Sequence, residues 1–199
     1  MNFHTVFQSE TKTPLDALYK NIHQDVIDRC KLGERNAQFQ LYKMYYKSMY
    51  NTSLRIVGND TEAEDIMQEA FLSAFKKIDT YSGQVSFGAW LKKIVVNRSL
   101  DYLKKRKVHF EELDERTADE METPMMETRE LNLEKLKQAI MQLPEGYRVV
   151  LSLYLLEGYD HDEISEILHI SNSSSRSQLL RAKNKLREYL QKDEVYSMN

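Results

Sequence analysis

Residues able to carry covalent or metal chemistry are few in this sequence, and their spacing does not suit it. His161 and His169 stand eight apart with Asp162 and Glu163 between them, whereas a zinc-binding helix places its ligands at i and i+4. Glu62, Asp65 and Glu69 share one side of a helical repeat, but no histidine accompanies them and Leu72 falls among them, so catalysis and metal binding are poor readings. Cys30 is the single cysteine, so no intramolecular disulfide forms and a reducing compartment fits best. What remains is non-covalent chemistry, in which hydroxyls, amides and cations hold phosphate. The stretch "HISNSSSRSQLLRAKNKL", from His169 to Leu186, concentrates it, with Ser171 and Ser173 to Ser175 followed by alternating leucines and cations.

Serine density suggests a linker, but Leu179, Ala182, Leu186 and Leu190 set an apolar helical face that begins directly after the serines. The segment therefore reads as a helix. Ser171 suits its N-cap, and the serines of the first turn, with free backbone amides, can hold phosphate oxygens. Opposite the leucines lie Ser174, Ser177, Arg181 and Lys185, flanked by Ser173 and Gln178, a set suited to DNA.

The elements that must position this helix precede it. Leu133, Leu136, Ile140 and Leu143 form a seam before Pro144, and a second helix runs through Val149 to Leu156 and stops near Gly158. A third starts at Asp160, whose carboxylate caps the amides while Glu163 reaches back, and it buries Ile164, Ile167 and Leu168. With a short turn at His169 to Ser171, the last two helices make a helix-turn-helix whose second member would enter the major groove.

Earlier in the chain, "TEAEDIMQEAFLSAFKKI" puts Ile66, Met67, Ala70, Phe71, Ala74, Phe75 and Ile78 on one stripe. Asp65, Gln68, Glu69 and Leu72 gather on the other side with Glu62 nearby, which periodicity alone reads first as an ordinary solvated face, while the leucine among carboxylates also suits docking of a basic partner helix. "FGAWLKKIVVNRSLDYLKKRK" packs through Phe87, Trp90, Leu91, Ile94 and Val95, then turns basic after Asn97. Beside it, Tyr81 in the loop "TYSGQVS" and Trp90 offer rings for unpaired bases next to cations for phosphates, with Trp90 expected mostly buried and the loop making the base contact.

Charge is sorted into blocks, although the net is only -3. Lys92 to Lys107 holds seven Lys or Arg and one Asp, Glu111 to Glu130 nine acidic residues and two Arg, and Arg176 to Lys192 six basic residues and one Glu. Two basic surfaces separated by an acidic stretch suit one polyanion. The acidic stretch lacks sustained periodicity and contains Pro124, which predicts a flexible linker dividing two domains, the alternative being a solvated acidic helix whose Met121, Met125 and Met126 pack on a partner. The expected layout is an all-α chain of two small helical domains: an extension over 1–24, domains over 25–107 and 132–192, and an acidic flexible linker over 108–131. The extension, with Phe3, Phe7 and Leu15, reads as disordered or partner-binding. No leader pattern and no run near about 18 apolar residues is present, so a cytoplasmic protein without direct membrane insertion is expected.

Taken together, "TEAEDIMQEAF", "FGAWLKKIVVNRSLDYLKKRK" and "LPEGYRVVLSLYLLEGYDHDEISEILHIS...SRSQLLRA" resemble, in order, three motifs of the extracytoplasmic-function sigma factors of bacterial RNA polymerase. The resemblance covers about residues 25 to 190. It implies a non-enzymatic factor, without cofactor or metal, that binds core RNA polymerase and directs initiation at promoter DNA, with an anti-sigma factor as a further partner. It implies that Asp65, Gln68 and Glu69, with Leu72, dock on the polymerase. It also implies that the loop before Trp90, with Asn97, Arg98, Asp101 and Tyr102, captures the minus-ten element, and Trp90, Lys93 and Lys105 join that candidate set. For the minus-thirty-five element it implies Arg176, Gln178 and Arg181, beside Ser173, Ser174, Ser177 and Lys185. Two departures stand out: His169 occupies a turn position where the family has glycine, and Ser175 points toward the core where an apolar residue is common. A response-regulator output domain shares the helix-turn-helix, but no β-branched run ending in Asp, as a phosphoacceptor domain needs, occurs before residue 130.

Overall fold

The computed structural model describes residues 23–106 and 133–196, with side chains as far as Gln191. Among these residues every regular element is helical, in keeping with the all-α reading. The predicted linker, 108–131, and nearly all of the predicted extension lie outside the described residues.

The first domain is built on α1 (Gln24–Lys31), α2 (Arg35–Val57), α3 (Asp60–Lys76) and α4 (Phe87–Lys105). Its core holds Leu41, Met49, Met67, Ala70, Phe71, Leu91 and Val95, each essentially dry. Helix α2 ends at Gly58, whose left-handed backbone (φ 77°) returns its N–H to the Leu54 carbonyl at 2.8 Å. Asn59 then caps α3, its side chain accepting from the Glu62 amide at 3.1 Å. Ser86 does the same for α4 through the Ala89 amide at 3.2 Å.

The second domain contains α5 (Leu133–Gln142), α6 (Glu145–Leu151), α7 (His161–Leu168) and α8 (Asn172–Tyr196). The helix expected to run from Val149 to Leu156 is instead two pieces, because at Ser152–Leu156 it widens into a π turn. There the Glu157 amide reaches back five residues to the Ser152 carbonyl at 3.0 Å. Asp160 and Glu163 form the expected capping box on α7. His169 adopts the left-handed conformation (φ 56°) that the turn demands, as anticipated from its place where glycine is usual.

The two domains pack on each other. One apolar cluster contains Ile56, Val57, Val96 and Leu100 from the first domain and Leu143, Val149, Val150 and Leu153 from the second. Polar groups cross the seam beside it. Arg148 donates from Nε to the Arg55 carbonyl (3.0 Å) and from Nη1 to the Leu143 carbonyl (3.2 Å). Glu157, whose side chain is 1% exposed, accepts from Arg55 Nη2 (2.7 Å) and Thr52 Oγ1 (3.2 Å), and Lys92 Nζ lies 3.0 Å from its other oxygen.

Candidate nucleic-acid interface

Helix α3 turns its apolar stripe inward and leaves Asp65, Gln68, Glu69 and Leu72 exposed, with Leu72 at 61%. Leu72 forms one wall of a groove of about 510 Å³, lined also by Phe39, Tyr42, Gln68, Phe71 and Phe75. Phe39, 56% exposed, escaped the sequence reading. Its signal was available: it sits among Arg35, Gln38, Gln40 and Lys43, off the buried positions Ala37 and Leu41.

Between α3 and α4 lies a second concavity, of about 270 Å³, where Glu62, Asp65 and Glu69 face Arg98, Asp101, Tyr102 and Lys105. The structure thus brings together two residue sets that the sequence assigned to different partners. Arg98 Nη1 is 2.7 Å from Glu69 Oε2, an ion pair largely in water and so worth little by itself. Lys93, Asn97, Asp101 and Lys105 recur every four residues along α4 and are all exposed, forming a single outward row. Arg106 lies over the Tyr102 ring at 5.7 Å.

The loop before α4 departs from expectation in one respect. Tyr81 is buried, and its hydroxyl donates to the Val85 carbonyl at 2.7 Å. Its ring packs against Phe87 (5.6 Å) and Trp90 (5.4 Å), so it braces the loop instead of offering a stacking face. Ser82, Gln84, Val85 and Ser86 are exposed there, and Trp90 is half-buried.

Helix α8 starts as predicted: Ser171 Oγ accepts from the Ser174 amide at 3.0 Å. Gln178 requires a correction. It is 1% exposed, and neither amide atom finds a hydrogen-bond partner among the described residues, so it faces the packed side and not DNA. The cause is helical phase. The sequence reading centred the inner face on Leu179, Ala182, Leu186 and Leu190 with Ser175 turned inward, but buried Gln178 widens it to one side. That rotation leaves Ser173, Arg176, Leu180 and Lys183 as the exposed row, while Ser174, Ser177, Arg181 and Lys185 are half-buried on the flank. Leu180 and Lys183 were missed for the same reason.

Where Ser175 replaces an apolar residue, His161 supplies the partner: its Nδ1 is 2.9 Å from the Ser175 hydroxyl, and its ring stacks on Tyr154 at 4.5 Å. Burial, with Arg176 and Lys183 nearby, lowers the imidazole pKa from its ordinary value, against the opposing pull of Asp160 and Asp162. Among the described residues no group of three or more His, Cys, Asp or Glu is placed to hold a metal, and no helix is long and apolar enough to cross a membrane.

Comparison with known proteins adds to this geometry. The family model for Sigma-70 region 2 matches residues 41–108, and that for Sigma-70 region 4 matches residues 133–186. The chain is 30% identical over 177 residues to the ECF RNA polymerase sigma factor SigW of Bacillus subtilis, covering 82% of this chain and 94% of that protein. It is 27% identical over 181 residues to the RNA polymerase sigma-H factor of Pseudomonas aeruginosa, covering 84% and 93%. A solved structure of CnrH in complex with the cytosolic domain of CnrY aligns with a TM-score of 0.49 at 20% identity, over 86% of this chain and 98% of that one.

Proposed function

The chain belongs to the sigma-70 family, in its extracytoplasmic-function branch, and directs promoter-specific initiation of transcription; from this premise we propose how its surfaces divide the work. Residues 25–107 form the unit that binds core polymerase and captures the minus-ten element. Residues 132–192 form the unit that reads the minus-thirty-five element, and 108–131 join the two. Polymerase docks on Asp65, Gln68, Glu69 and Leu72, and Phe39 extends that surface across the groove. The minus-ten strand follows Lys93, Asn97, Asp101 and Lys105, with Trp90, Arg98 and Tyr102 at its edges. Arg176 and Ser173, with Leu180 and Lys183, present the outer row of α8 to the duplex, and Arg181, Lys185, Ser174 and Ser177 line its flank. Family membership also points to an anti-sigma factor that covers these surfaces.

The observation that carries the reading is the adjacency, within one domain, of two unlike exposed surfaces: acids with a leucine on α3, and the Lys93-to-Lys105 row on α4. The first suits a basic protein helix and the second a nucleic acid strand. Neither needs a catalytic group, since positioning alone exposes a base that costs a few kcal/mol to unstack. Co-elution with bacterial core RNA polymerase tests the docking half. The natural chain is expected to co-elute and a D65K/E69K variant is not; equal retention of both would remove α3 as the docking face.

A further inference from the structure

Two polar threads join the first turn of α7 to the first turns of α8. In one, Asp162 Oδ1 accepts from Asn172 Nδ2 at 2.6 Å, and Asn172 Oδ1 accepts from Arg176 Nε at 2.8 Å. In the other, His161 Nδ1 meets the hydroxyl of Ser175, which is 0% exposed. The first thread has a fixed direction. A guanidinium only donates and a carboxylate only accepts, so Asn172 must turn its oxygen to Arg176 and its nitrogen to Asp162. It ends on an exposed arginine in the outward row of α8, and it begins on a different helix.

We propose that Asp162 is a positioning residue for promoter reading: through Asn172 it holds the Arg176 guanidinium in its outward pose, while His161 and Ser175 fix the roll of α8 beneath it. The proposal rests on the assignment of α8 to the upstream promoter element. An exposed arginine otherwise samples many rotamers, and a guanidinium held before DNA arrives loses less freedom on binding. The anchoring helix carries α7's capping box, so the thread starts from a rigid point.

Charge makes the proposal testable by sign. Asp162 places a carboxylate near the DNA-facing row, so simple electrostatics predicts that its removal tightens binding to a polyanion. Positioning predicts the reverse. The test uses holoenzyme reconstituted from the full chain and bacterial core polymerase. Wild-type holoenzyme selects duplexes from a library randomised across the upstream promoter window, and the variants are then measured on the selected duplex. Asp162→Ala and Asn172→Ala are each expected to weaken binding by about three- to tenfold. Asp162→Asn, which keeps an accepting oxygen, is expected to recover most of that loss. In an Arg176→Ala background Asp162→Ala is expected to change nothing further, which a general loss of stability would not reproduce. Tighter or unchanged binding by Asp162→Ala overturns the proposal, as does an equal loss in the Arg176→Ala background. If wild-type holoenzyme selects no upstream sequence, the assignment of α8 fails and takes the proposal with it, a result distinct from selection to which Asp162 is indifferent.

Discussion

His161 does in this chain what an apolar contact would ordinarily do, by satisfying a serine that faces the core at the start of α8. Because the fold disfavours its charged form, the unfolded chain takes up the proton more readily. Stability contributed by the neutral ring is therefore fully present above the ordinary histidine value, about 6.5, and is lost as pH falls below it. Thermal unfolding of the full chain is expected to show a midpoint that drops between about pH 7.5 and pH 5.5, with a smaller drop in His161→Asn, which retains the bond but does not titrate. Equal drops would assign the effect to other groups. At this scale the sequence was partly legible. Exposure of Asp65, Glu69 and Leu72, the capping role of Ser171 and the inward turn of Ser175 followed from periodicity. Gln178 did not, because a polar side chain at the margin of a helical face gives no hint that its neighbours cover it.

The helices of the second domain were legible because their ends carry ordinary signals, in Pro144 and Asp160; in the first domain Gly58, Asn59 and Ser86 cap helices whose ends the sequence analysis did not mark. Gly58 does more than end α2. A Cβ there would overlap Arg148 Nη2, so the residue that lets the helix stop also leaves room for a guanidinium from the other domain. Gly58→Ala is expected to cost about 1–2 kcal/mol from the left-handed backbone alone, and more once Arg148 is displaced. Chemical denaturation against the natural chain measures it, and a loss below that range would mean that α2 ends elsewhere in the variant. The π turn at Ser152–Leu156 was not legible. Its residues, "SLYLL", hold no glycine, proline or other helix breaker, and the widened turn leads directly to Glu157 at the seam.

As a whole molecule, the two predicted domains meet along a seam that nothing local announces. Arg148 and Glu157 read as common helix-end charges, and Arg55, which donates the shortest bond to Glu157, lies 102 residues earlier in the chain. Glu157→Gln is expected to destabilise the packed form by about 1–3 kcal/mol. That is less than the figure for a fully buried pair, because Arg55 and Lys92 keep 25% and 36% of their side-chain exposure. Unfolding in urea should then separate into two transitions, one per domain, where the natural chain is expected to show one. A single unshifted transition would show that the apolar cluster alone holds the seam.

The enclosure of Glu157 has a consequence for how the protein responds to ionic strength. Counterions screen exposed charges over roughly 8–10 Å at physiological concentrations, which weakens the pull of the exposed cations of α4 and α8 on any polyanion. The Glu157 carboxylate, at 1% exposure, is screened far less, although its partners Arg55 and Lys92 remain partly exposed. Added salt should thus loosen the grip on a polyanion well before it parts the domains, so charges set at different depths answer the medium to different degrees.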